Sequence, residues 1–201
     1  MTRHTSILLT IAAWGIVPMY GASPCESLST LKLPNTTITM AEPVAAGAFT
    51  SPLPAPKGKQ PQSFRNLPAF CRVAATLTPV ADSEIKIEVW LPEARWNGNL
   101  QSVGNGAWAG TISYPAMATA LTAGYATAST DTGHTGGNPA TFIPGHPEKL
   151  IDFSYRAVHE MTVAAKAIIG HTTDRMREHC STVGADEARG TGKRIVSPVP
   201  D

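Results

Sequence analysis

The chain carries little charge, and almost none of it is net. Charged residues make up 15% of its 201 positions, with 16 Lys and Arg against 15 Asp and Glu. That balance argues against partners held by bulk electrostatics, nucleic acid and anionic membrane surfaces first among them. Long apolar runs are missing as well. The run SILLTIAAWGIV near the N-terminus has about twelve residues, too few to span a bilayer. Cysteine is scarce, at Cys25, Cys71 and Cys180, so an odd thiol is left over from any pairing. No cluster of His, Cys and Asp has the spacing of metal ligands. Neither a metal nor a cofactor is expected.

What is present begins with a leader. MTRH is short and basic, the apolar run follows, Pro18 breaks it, and YGAS offers small residues for cleavage near Ala22 or Ser23. This is the layout of an export signal over residues 1–22, and it implies a secreted or periplasmic location. Cysteines pair in such a compartment. Cys25 begins the mature chain and Cys71 opens a strand, so these two are expected to pair, leaving Cys180 free or without its partner.

Hydrophobic residues are 42% of the chain, enough to bury a core. Residues 23–70 read as an N-terminal arm and a connector. Five prolines between Ser51 and Pro68 exclude a regular element there. Residues 71–170 read as the folded body. CRVAATLTPV and IKIEVWLP flank the turn ADSE, and Ile85, Ile87, Val89 and Leu91 alternate onto one buried face of a hairpin. NLQSV is a short strand that runs into a glycine-rich turn, QSVGNGAWAGTI. SYPAMATALTAGY reads as a helix capped by Ser113 and stopped by Gly124. YATAST is a strand. DFSYRAVHEMTVAAKAII is a long helix with Asp152 as N-cap and an apolar stripe of Phe153, Ala157, Met161, Ala164 and Ile168. His159 lies off that stripe. The order strand, helix, strand, helix suggests a parallel sheet with helices on its faces. After Gly170 the chain turns polar and arginine-rich, and residues 171–201 read as a divergent, poorly ordered tail.

Three stretches, VGNGAWAGTI, AMATALTAGYATASTDTGHTGG and IDFSYRAVHEMTVAAKAII, resemble the tannase and feruloyl esterase family of secreted serine esterases. The resemblance covers about Cys25 to Ile169. It implies an α/β fold, namely the N-terminal portion of an α/β-hydrolase, incomplete and without the lid domain. It also implies hydrolysis of esters of aromatic acids, so the expected partner is a small aromatic ester. In that fold one oxyanion-hole donor comes from a loop after an early strand and the other from the residue after the nucleophile. Gly104, Asn105, Gly106 and Ala107 stand where the first donor belongs, with glycines free to adopt φ > 0. The family tends to carry glycine where Ala107 stands. Asp131 and Thr132 precede any nucleophile, so they are expected as turn residues, with His134 near the rim of the site. CSTVG at residues 180–184 resembles the family's nucleophile elbow, Cys-Ser-Thr-Gly-Gly. Ser181 would be the nucleophile and Thr182 the second oxyanion donor, although Val183 breaks the pattern.

The family's catalytic Asp and its Cys-adjacent His match no position here. The expectation is therefore a fragment, inactive as this chain. A shift of reading frame near Gly170 would account for the abrupt change in composition. The alternative is a non-catalytic secreted domain that binds aromatic ligands around Trp108 and Tyr114.

Overall fold

The computed structural model describes residues 24–55, 57–136 and 140–172, and the backbone of residues 181–182. A short helix α1 (Pro24–Ser27) leads to β1 (Thr36–Val44). Strands β2 (Phe70–Leu77), β3 (Ile85–Pro92) and β4 (Asn99–Val103) follow. Helix α2 (Tyr114–Thr122) crosses to β5 (Ala126–Thr130), and α3 (Pro147–Ile151) passes through a π turn (Asp152–Arg156) into α4 (Ala157–Thr172). A two-residue strand, β6 (Ser181–Thr182), completes the sheet.

The sheet has the order β1-β2-β3-β5-β4-β6. It is mixed rather than parallel. β1, β2, β3 and β5 pair antiparallel in succession, and only β5, β4 and β6 run parallel. The reason is chain economy: a seven-residue connection, residues 78–84, joins β2 to β3 and is short enough only for an antiparallel pair, whereas the helical crossover α2 makes β4 and β5 parallel. The segment read as an arm supplies an edge strand, because TTITM alternates across the pleat and pairs from Thr36 opposite Leu77 to Val44 opposite Phe70. Cys25 is joined to Cys71 by a disulfide, which anchors α1 to β2.

Both faces of the sheet are covered. On one, Val73, Ile85, Ile87, Val89 and Leu91 meet Ala157, Met161, Ala165 and Ile168 of α4. On the other, Phe70, Trp90 and Val103 meet Met117 and Leu121 of α2 together with Phe49 and Leu67. The hairpin thus has two buried faces where alternation predicted one. From Glu88 onward β3 is buried throughout, because Phe49, from the turn after β1, fills the second side against Trp90 at a ring separation of 4.7 Å. Gly124 ends α2 with φ +85, and a side chain there would press on the Arg95 carbonyl. Two predicted caps differ. Ser113 makes no side-chain cap and Pro115 starts the helix instead. Asp152 lies inside the helical run, since the chain already coils from Pro147.

Candidate functional site

The crevice of an open α/β sheet lies at the carboxyl ends of its parallel strands. Here those ends are Val103 of β4 and Thr130 of β5. The first continues into the glycine-rich turn and the second into Asp131–Gly136, and the two loops are tied together. The Asn105 side-chain amide donates to the Thr130 carbonyl at 2.9 Å. The Gly110 amide donates to the Gly136 carbonyl at 2.6 Å. The His134 ring reaches the Trp108 carbonyl through Nε2 at 3.0 Å. Because a carbonyl only accepts, Nε2 carries the proton.

The turn does not use its glycines as the sequence suggests. Gly104 and Gly106 keep ordinary negative φ, and Ala107 takes the left-handed conformation at φ 49. That placement costs a residue with a Cβ roughly 1–2 kcal/mol. Gly106 and Ala107 are exposed, and Trp108 is half-buried. The amides of Gly106, Ala107 and Trp108 donate to no acceptor among the described residues. Three consecutive such donors on an exposed bend can serve a developing negative charge.

Asp131 and Thr132 behave as the predicted turn residues. The Asp131 carboxylate accepts from the Lys86 and Gly133 amides, both at 2.9 Å. Burial pushes its pKa up to about 6, against the smaller opposing pull of those amides. Thr132 is left-handed at φ 59, an outlier for a β-branched residue. Its hydroxyl donates to the Asp131 carbonyl at 2.6 Å and stands 3.3 Å from His134 Nδ1. His134 is not on a rim but buried, with its ring stacked on Phe142 at 3.7 Å. Trp108 stacks on Phe153 at 4.7 Å.

Tyr114 belongs to the core instead. Its hydroxyl donates to Glu88 at 2.7 Å. The same carboxylate accepts from Trp90 Nε1 at 2.9 Å and from Arg72 at 2.6 and 3.0 Å. Burial, then Glu88, raises the Tyr114 pKa. Tyr114 therefore lines no cleft with Trp108. A second buried carboxylate, Asp152, accepts from Arg156 at 2.6 Å and from Ser83 at 3.0 Å. It packs against Gly133, whose φ of +82 and lack of a Cβ admit it. Sequence reading missed both carboxylates as well as the His134 tie.

Ser181 and Thr182 pair in β6 opposite Asn99 and Leu100, at the amino end of β4. Val103 is four residue steps beyond Asn99, roughly 13 Å of strand. The structure brings the glycine turn and Asp131–His134 together, and it does not bring the Ser181 backbone to them. Cys180 and Val183 lie outside the described residues. No group of three or more His, Cys, Asp or Glu suited to a metal occurs among the described residues.

Comparison with known proteins fits this arrangement. Residues 71–190 match the family model described as tannase and feruloyl esterase. An uncharacterised esterase of Xanthomonas campestris pv. campestris is 41% identical over 182 residues, 89% of this chain and 30% of its own length. A probable feruloyl esterase B-1 of Aspergillus oryzae is 34% identical over 133 residues, 66% of this chain and 24% of its own. The crystal structure of feruloyl esterase B from Aspergillus oryzae superposes with a TM-score of 0.64 at 30% identity, covering 79% of this chain and 30% of that one. An esterase structure from the same fungus gives 0.67 at 29% identity. The chain thus spans about a third or less of the length of these proteins, and it belongs to the tannase and feruloyl esterase family.

Proposed function

We propose that this chain builds the sheet and the first oxyanion element of a secreted or periplasmic serine esterase acting on aromatic acid esters. The carrying observation is the bend at Gly106–Trp108 after the carboxyl end of β4, whose three amides have no partner among the described residues. In ester hydrolysis a serine oxygen attacks the carbonyl carbon, the alcohol leaves, and water releases the acid from the seryl ester. Negative charge gathers on the carbonyl oxygen in each half, and one preorganised amide lowers that barrier by roughly 3 kcal/mol. By the resemblance of CSTVG to the family's elbow, Ser181 is the proposed nucleophile and Thr182 the proposed second donor, and these roles require the pair to move from the amino end of β4, where their backbone pairs, to the bend. The Cys25–Cys71 disulfide supports an oxidising location. No described helix is long and apolar enough to cross a membrane.

A serine needs an imidazole within hydrogen-bond reach. The described histidines are engaged or remote: His134 holds Trp108, His146 pairs with Asp82, His171 contacts the Ala167 carbonyl, and His159 lies exposed on α4. The 201-residue chain by itself is therefore expected to release no phenol from an aryl ester of an aromatic acid. Release that Ser181→Ala abolishes would overturn this. The non-catalytic reading, an aromatic-binding domain, loses Tyr114 to the core and rests on Trp108 alone.

A further inference from the structure

Two residues with side chains, Ala107 and Thr132, hold left-handed backbone at the carboxyl end of the sheet. They are 25 positions apart in the chain, yet one imidazole connects them. The Thr132 hydroxyl faces His134 Nδ1 at 3.3 Å, and His134 Nε2 donates to the carbonyl of Trp108, the residue after Ala107. Strained backbone persists only where the surroundings over-determine it. At Ala107 the surroundings are few: the Asn105 tie on one side and the Trp108 tie on the other. The ring cannot swing away, because it is buried and stacked on Phe142 with 13° between the planes. The loop following it is equally fixed, since Gly110 is so close to the His134 carbonyl that a Cβ would collide with it.

We propose that His134 is a positioning residue of the esterase site, a strut braced by its stack on Phe142 that holds the Trp108 carbonyl and so keeps the left-handed bend and its free amides in place. The inference rests on reading that bend as the oxyanion cradle. It makes no proton transfer of its own; it acts through the bend.

The test uses NMR on the whole 201-residue chain. The backbone φ of Ala107 is read from its three-bond coupling, and hydrogen exchange is followed at the Gly110 amide and at β2–β3 amides. In His134→Ala, Ala107 is expected to leave the left-handed region, and Gly110 exchange to rise about fivefold or more, the worth of one hydrogen bond. The β2–β3 amides should hold. His134→Gln, whose amide can donate to the same carbonyl, should restore both readings. An unchanged Ala107 and Gly110, a uniform rise across the sheet, or failure of Gln to rescue would overturn the proposal. Should His134→Ala not fold, His134→Phe, which keeps a ring against Phe142 and removes the donor, reads the same two quantities: a localised rise supports the strut, and no rise or a uniform one contradicts it. No readout depends on ester turnover, so failure here is distinct from failure of the esterase reading.

Discussion

Ala107 concentrates the chemistry of the site in one residue. An alanine at φ 49 is strained where glycine would not be. Ala107→Gly should raise stability by about 1 kcal/mol if relief of strain outweighs the added freedom of the unfolded chain, and a urea midpoint measures it. A lower midpoint would mean that the alanine's conformation is not costly here. Asp131 gives a pH signature. Its pKa rises from the ordinary 3.8 to about 6 on burial, so the folded state holds the proton more tightly than the unfolded. Stability therefore falls as pH rises through that window, and the penalty is fully present above it. Asp131→Asn keeps an oxygen for the Lys86 and Gly133 amides and should flatten this slope. Equal slopes in both proteins between pH 4 and about 6 would contradict the assignment. Neither effect is legible in sequence. The positive φ falls on the alanine after Gly106 rather than on Gly104 or Gly106, and the carboxylate is held by Lys86, 45 residues earlier in the chain.

Among elements, the pieces defined by local rules were the readable ones. The alternation of Ile85, Ile87, Val89 and Leu91 located β3, and Gly124 located the end of α2. Ala157, Met161, Ala164 and Ile168 face the core as their helical spacing implied. What escaped depends on distant partners. Glu88 reads as a solvent position until Arg72, 16 residues earlier, and Tyr114, 26 later, enclose it. Asp152 reads as a cap until Ser83, 69 residues away, meets it. β1 escaped because its half-buried pattern resembles a polar arm. These long-range links carry energy. Glu88→Ala strips a buried carboxylate from Arg72, Trp90 and Tyr114 and should cost about 3–5 kcal/mol, the usual penalty for an abandoned buried charge. A thermal midpoint close to wild type would contradict it. Gly110→Ala should part the two loops at the crevice, which loss of Gly110 amide protection would reveal, with the rest of the sheet unaffected.

For the whole molecule, the disulfide closes 46 residues and ties α1 to β2. Chain entropy assigns it about 4 kcal/mol, and Cys25→Ser with Cys71→Ser should lower stability by that order in denaturant titration. A change below about 1 kcal/mol would mean that β1 holds the arm without help. Family membership was readable from three long motifs, whereas the relative placement of the glycine turn and β6 was not, because it depends on strand register. The account's central claim is that the Gly106–Trp108 bend presents free amides to a charged oxygen at the carboxyl end of β4. Titrating the isotope-labelled chain with ferulate and following backbone amide shifts tests it most directly. Saturating shifts centred on Gly106, Ala107 and Trp108 are expected, with β1–β2 amides unmoved. A titration that leaves those three amides still, while ferulate binds elsewhere or nowhere, would contradict the account.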